Sequence, residues 1–162
     1  MINPLLEHNT LPPFNEILPE HIVPAIETIL KELRLGIEEL LETRPYSYKS
    51  LVKARESLED KLHQAWSPVS HLNSVMNSVE LRDAHAVCLA MITDYYTEVG
   101  QNRPLFMAYQ SIASSAQYDS LPPARRKVID NALRDFRLSG IDLTESKQAR
   151  FSELSREISS LS

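Results

Sequence analysis

The chain has 162 residues, of which 43% are apolar and 24% charged, and its formal charge is −5; these values are ordinary for one folded domain. The negative charge disfavours nonspecific binding to nucleic acid, and the single cysteine excludes an internal disulfide. The N-terminus lacks a basic segment followed by a long apolar one, so we expect no secretion signal, no membrane helix and a cytoplasmic location.

The first 19 residues contain four prolines and are predicted to form an extended arm. Its leucines, Phe14 and Ile17 are expected to pack the arm against the rest of the protein. Residues 20–162 show apolar side chains at helical spacing, few glycines and little strict alternation. This pattern predicts an all-α fold of six or seven helices.

Two helices are predicted in the first half of this helical domain. The first should run from about Glu20 to Glu42, with Gly36 on its apolar face, where the missing side chain would let another helix approach closely. The second should run from about Tyr48 to Trp66, because Pro68 is expected to break or bend it.

A third helix is predicted to begin after Ser78, a favourable N-cap, and to continue to about Val99. Gly100 is expected to cap its C-terminus. Apolar residues surround much of its circumference, so we expect it to be central in the fold. Its main stripe consists of Leu81, His85, Cys88, Ile92, Tyr96 and Val99.

Three further helices are expected. One runs from about Pro104 to Ser114, and the next lies between the prolines after Ser120 and a terminating Gly140. In the latter helix Asp130 stands four residues before Arg134, which favours an ion pair on a solvated basic face.

The last helix is predicted to start at Asp142 or Thr144. Its apolar face consists of Phe151, Leu154, Ile158 and Leu161. Because apolar residues still recur at helical spacing up to Ser162, we expect the chain to be a fragment truncated within its last helix.

One polar run stands out as a candidate site. In "SPVSHLNSV", Ser70, His71 and Asn73 gather close to Pro68. No two of the five histidines are three or four residues apart, so no zinc motif is formed. A glycine-rich phosphate loop and a G-x-S-x-G nucleophile elbow are also missing. We expect Cys88 to be a buried, inert thiol.

From the residues alone, the run is best interpreted as a bent helix joint whose polar side chains satisfy freed backbone groups. The alternative is that Ser70, His71 and Asn73 face a channel or contact another lobe. No catalytic residue and no metal ligand is assigned to any position of this chain.

Four stretches carry a family resemblance. "NPLL", "LPPFNEILPEHIVPAIE", "WSPVSHLNSVMNSVELRDA" and "VIDNALRDFRLSGIDL" together resemble the N-terminal region of the thimet oligopeptidase family of zinc metallopeptidases. The resemblance extends from Ile2 to the end of the chain. It implies a large, all-α cytoplasmic peptidase with two lobes facing a channel that admits short peptides.

In that family one zinc, held by the histidines of H-E-x-x-H and a downstream glutamate, activates water to hydrolyse an internal peptide bond. This chain has no H-E-x-x-H. The resemblance therefore implies zinc in the parent enzyme and none bound here. It also implies two partners for this region, which are short peptide substrates and the C-terminal catalytic part.

Three functional hypotheses follow. The leading one is a non-catalytic N-terminal fragment that helps to wall the channel, is inactive alone and self-associates through apolar surface. The alternative is a stand-alone helical protein-interaction module. A helical nucleic-acid binder is the third, which the negative charge disfavours.

Overall fold

The computed structural model describes residues 3–7, 11–76 and 78–161. Across these ranges the chain forms seven α-helices and no β-strand, which confirms the predicted all-α class. The helices are α1 (Pro19–Glu42), α2 (Ala54–Val75), α3 (Val79–Gly100), α4 (Arg103–Ala113), α5 (Ala116–Ser120), α6 (Pro123–Leu138) and α7 (Glu145–Ser160). A π-helical segment, Tyr48–Lys53, leads directly into α2. Among the described helices, none combines the length and apolar character needed to cross a bilayer.

Local signals define several helix ends. The Ser78 side chain accepts a hydrogen bond of 3.2 Å from the Leu81 amide, so the predicted N-cap of α3 is confirmed. Asn102 caps α4 in the same way, accepting 2.9 Å from the Leu105 amide. Gly140 follows α6 with φ +87°, a left-handed conformation that glycine adopts without strain, and its predicted role as terminator is confirmed.

The core lies where α1, α2 and α3 pack together and continues between α4 and α6. Gly36 is buried at the contact of α1 with α2, and a Cβ there would lie 2.8 Å from Leu58 Cδ1. The expected close approach at Gly36 is confirmed. The largest fully buried side chains are Tyr95, Ile22, Ile26, Leu33, Leu51, Leu62, Leu105, Ile112 and Ile129.

Of the break or bend predicted at Pro68, the break is wrong, because α2 continues through this proline to Val75. A proline inside a helix removes one backbone hydrogen bond and costs about 3 kcal/mol. Leu62, Ala65 and Val69 are buried around it. Each large apolar side chain buried in this way contributes about 1.5–3 kcal/mol, so packing of the whole helix outweighs the local cost.

The helix α3 is central, as predicted, but two of its details differ. Tyr95 is fully buried and Tyr96 is 48% exposed, so Tyr95 takes the core position expected for Tyr96. The helix also includes Gly100, and Gln101 stands at its C-cap. A Cβ on Gly100 would lie 2.5 Å from Ser139 Cβ, so this glycine permits close contact with the end of α6 instead of capping α3.

The predicted ion pair on α6 is also wrong. Arg134 Nη2 lies 2.9 Å from Oδ1 of its neighbour Asp135. The Asp130 carboxylate accepts a hydrogen bond of 2.5 Å from the hydroxyl of Tyr118 on α5. A partner from another helix thus replaces the one expected from spacing alone.

The N-terminal arm packs through only part of its apolar residues. Leu5 and Ile17 are each 8% exposed, and the Asn3 side chain donates 2.7 Å to the His21 carbonyl at the start of α1. Leu11 and Phe14 remain 79% and 42% exposed. The expected packing is therefore confirmed for Leu5 and Ile17 and wrong for Leu11, whereas Phe14 is only partly covered, beside the His71 ring.

Candidate functional site

The run predicted from sequence occupies the last two turns of α2. His71 is exposed, whereas Ser70 and Asn73 are half-buried. Residues three apart on a helix share a face and residues two apart do not. The structure therefore places Ser70 and Asn73 together and directs His71 away from Asn73.

The contacts of this run are modest. The His71 ring lies 5.5 Å from the Phe14 ring between centroids, and Ser74 donates 2.9 Å to the Ser70 carbonyl. The Asn73 Oδ1 atom is buried without a hydrogen-bond partner among the described residues. Nothing in this arrangement forms a Ser–His pair with a third orienting group, as nucleophilic catalysis requires.

A second polar cluster lies in a cleft of about 420 Å³ between α2, α3, α4 and α6. Arg55 and Glu59, one turn apart on α2, face this cleft with side chains only 16% and 25% exposed. Arg55 Nε and Nη2 lie 2.9 Å and 2.8 Å from the same oxygen, Glu59 Oε1. This is a largely desolvated ion pair in which Nε donates a charge-assisted hydrogen bond and Nη2 makes a second close contact with the same oxygen.

Two aromatic residues complete the surroundings of Arg55. Its guanidinium lies 5.8 Å from the Tyr109 ring and 5.9 Å from the Phe136 ring, and Nη1 donates 3.4 Å to the Tyr109 hydroxyl. Burial lowers the pKa of Arg55, but Tyr109 and Glu59 outweigh this effect and the net pKa is raised. Arg55 therefore stays charged and links α2 to α4 and α6.

Tyr95 of α3 adds a further hydroxyl near Glu59 and Arg55. Its hydroxyl is buried and has no hydrogen-bond partner in the described part of the chain. Burial, with a further contribution from Glu59, raises the pKa of Tyr95 above its ordinary value. The Tyr95 hydroxyl is therefore neutral at physiological pH and cannot act as a base.

Sequence reasoning missed this cluster. The available signal was the four-residue spacing of Arg55 and Glu59, which alone predicts only an exposed pair. Tyr109 lies 54 residues further along the chain, so only the folded structure identifies it as a partner.

Two further titratable side chains, His85 and Cys88, lie on α3. His85 stacks on Trp66 with ring centroids 4.6 Å apart, and burial lowers its pKa. Cys88 is fully buried, as predicted, and burial together with Glu27 raises the pKa of its thiol to about 12. His, Cys, Asp and Glu side chains do not come together in threes as a metal site requires, within the ranges that the structure describes.

Comparison with known proteins shows the family to which the chain is similar. A family model described as the neurolysin/thimet oligopeptidase N-terminal domain matches residues 26–148. The chain is 45% identical to oligopeptidase A of Haemophilus influenzae over 161 residues, which are 99% of this chain and 24% of that protein.

Other relatives give the same coverage. Oligopeptidase A of Escherichia coli is 44% identical, again over 99% of this chain and 24% of the relative. A probable cytosolic oligopeptidase A of Arabidopsis thaliana is 30% identical over 99% of this chain and 23% of its own length. The chain spans about a quarter of the length of these relatives. With most of its residues matched by the family model, the chain belongs to the neurolysin/thimet oligopeptidase N-terminal domain family.

Proposed function

We propose that this chain serves as the non-catalytic N-terminal domain of a cytoplasmic zinc peptidase of the oligopeptidase A type, which hydrolyses internal bonds of short peptides. One observation carries the proposal. Nearly the whole chain aligns at 45% identity with an oligopeptidase A, yet it accounts for only 24% of that protein. The proposed activity is taken from the names of the relatives, and the zinc is inferred from the family resemblance.

The described residues do not fit a zinc site, because they contain no group of three His, Cys, Asp or Glu side chains able to hold a metal ion. We therefore assign no step of the metal chemistry to this chain. Its proposed role is to form part of the lobe that walls the substrate channel, with zinc and the catalytic groups in the rest of the enzyme.

Within this role, we assign Ser70, His71 and Asn73 to contact with the channel or with the opposite lobe. The exposure of His71 supports this assignment, as does its packing beside the half-exposed Phe14 ring. These side chains bind or position other groups, and none acts as a nucleophile.

The alternative is a stand-alone helical interaction module. Its support is the lack of catalytic motifs in the sequence, whereas the length of the relatives favours the peptidase. Weak self-association of the isolated chain fits either function, because Val75, Met76 and Val79 are between 57% and 70% exposed.

A chimera tests the proposed function directly. The chain would replace the aligned N-terminal quarter of the H. influenzae enzyme, and cleavage of a quenched fluorescent peptide would be measured with and without a chelator. We expect chelator-sensitive cleavage by the chimera and none by the isolated chain. A chimera that folds, as judged by circular dichroism, but does not cleave a peptide that the unmodified enzyme cleaves would contradict the proposal.

The isolated chain supplies the matching control. Zinc-dependent turnover by the chain alone would show that it contains its own catalytic site, and the proposed non-catalytic role would then be wrong.

A further inference from the structure

The helix α3 has two opposite packing faces. Its inner face, with Cys88, Ile92 and Tyr95, is buried against α1 and α2. Its outer face consists of Asp83, Val87, Ala90, Asp94 and Thr97, which recur at intervals of four and three residues and so form one stripe.

The helix α7 covers only the C-terminal half of this outer face. Asp94 and Thr97 are half-buried there, and Arg156 of α7 donates a hydrogen bond of 2.5 Å to Asp94. The start of α7 lies near the end of α3, because Gly100 contacts Ser139 and Gln148 of α7 donates 3.0 Å to the Gly140 carbonyl. The two helices are therefore antiparallel.

The N-terminal half of the outer face is open. Asp83, Val87 and Ala90 are exposed, with Val87 at 50%. Counting four residues on from Arg156 and four back from Asp94 places Ser160, the last residue of α7, opposite Ala90, so Ala90 lies at the edge of the covered part and Val87 and Asp83 lie beyond it. Apolar surface thus continues along α3 beyond the part that α7 covers.

The charge pattern repeats along the same stripe. Asp83 precedes Asp94 by eleven residues, which is close to three helical turns, so both carboxylates point to the same side. Asp94 pairs with Arg156, whereas no described residue forms an ion pair with Asp83. Between these acids lie only the small apolar side chains of Val87 and Ala90, which suit close packing of a second helix.

We propose that Asp83, Val87 and Ala90 form a docking site for an amphipathic α-helix contributed by the part of the parent peptidase outside this chain. The inference rests on the proposed function. This chain corresponds to 24% of the length of one relative. The rest of such an enzyme is therefore about three times as long as this chain and can contribute the helix. It lies in line with α7, sets apolar residues on Val87 and Ala90, and places a lysine or arginine opposite Asp83.

Thiol labelling of the variant Ala90→Cys tests this site. The probe is N-ethylmaleimide, with the modified residue identified by mass spectrometry in the isolated chain and in the chimera described above. We expect residue 90 to react at least about tenfold more slowly in the chimera, because a docked helix must open before the reagent enters. Lys127→Cys, on the exposed charged face of α6, is the matched control and should react alike in both proteins.

A second variant tests the same surface by thermal stability in both proteins. Val87→Glu places a charge on a surface that is exposed in the isolated chain, so its thermal midpoint should stay unchanged there. In the chimera the same charge would be buried under the docked helix, and the midpoint should fall by several degrees.

The outcomes separate this inference from the proposed function. An active chimera in which residue 90 is protected supports both. An active chimera in which residue 90 reacts as fast as in the isolated chain overturns the docking site and leaves the proposed function standing. A folded but inactive chimera overturns the proposed function and this occupant with it. Residue 90 could instead be protected in the isolated chain, increasingly at higher protein concentration, and remain reactive in the chimera. That result would overturn the inference and show that a second copy of the chain covers the site.

Discussion

Arg55 and Glu59 meet through a single oxygen, with Nε and Nη2 of the arginine 2.9 Å and 2.8 Å from Glu59 Oε1. The pair is mostly removed from water, and Tyr109 and Phe136 lie against the guanidinium. A buried charge of this kind stabilises a fold only while its partner is present. The pair therefore fixes how α2 sits against α4 and α6.

Replacing Glu59 by glutamine should expose this dependence. The variant leaves Arg55 with a neutral acceptor, and we expect a loss of about 1.5–3 kcal/mol in the free energy of unfolding. Urea denaturation would measure the loss. Glu32→Gln is the matched control, because the Lys61–Glu32 pair is 56% and 53% exposed and should contribute less than about 1 kcal/mol. Equal losses in both variants would contradict a special role for Arg55 and Glu59.

Gly100 should not tolerate a methyl group. A Cβ at this position would lie 2.5 Å from Ser139 Cβ, an atom fixed next to the backbone. Overpacking costs about 1–3 kcal/mol, and the better helix propensity of alanine returns at most about 1 kcal/mol. We expect Gly100→Ala to lower the urea midpoint and Ser139→Gly to restore part of it.

Gly36→Ala is the comparison for Gly100→Ala. Its Cβ would meet the tip of Leu58, which can rotate away, so a smaller loss is expected. A larger loss at Gly36 than at Gly100 would show that the contact between α3 and α6 is not the tighter one.

The stability of the chain should depend on His85 below neutral pH. Burial lowers the pKa of His85 in the folded state below its ordinary value of 6.5. The unfolded state then binds more protons, so this contribution is fully present above about pH 6.5 and is lost as the pH falls toward the folded pKa.

Denaturation midpoints measured across this pH range would reveal the effect. His85→Phe keeps a ring against Trp66 but does not titrate, so its midpoint should fall less on acidification. The unmodified chain, measured in the same buffers, is the reference. An unchanged slope in His85→Phe would contradict the assignment.

Cys88 should be unreactive until the chain unfolds. Burial and Glu27 raise the pKa of its thiol to about 12, so the thiolate that attacks disulfide reagents is scarce at pH 8. Labelling with a chromogenic disulfide reagent should rise only at urea concentrations that unfold the chain. Rapid labelling of the native chain would mean that α3 opens locally.

The sequence alone determined most of the helices and several of their ends. Ser78 and Gly140 act through their own side chain or backbone within a few residues, so their roles could be predicted without knowing the fold. The same applies to the apolar face of α1, including Gly36. The family resemblance also came from the sequence, because short stretches such as "SPVSHLNSV" can be matched to relatives without knowing which residues they contact in the fold.

Local reasoning failed where a distant partner decides the outcome. Pro68 was expected to break or bend a helix, but α2 continues through it because its buried face packs against other helices. Tyr95 and Tyr96 are neighbours, and only the packing of α3 between two layers selects which one enters the core. Asp130 accepts a hydrogen bond from Tyr118 of α5, and Arg134 forms its ion pair with Asp135 instead of with Asp130.

The candidate sites divide in the same way. Sequence singled out Ser70, His71 and Asn73, but the helix that carries them separates His71 from Asn73. Arg55, Glu59 and Tyr109, and the half-covered face of α3 with Asp83 and Val87, became visible only in the folded chain. Periodicity determines which residues share a helix face, whereas burial, ion pairing and exposure depend on which other helix covers that face, and tertiary packing alone decides this.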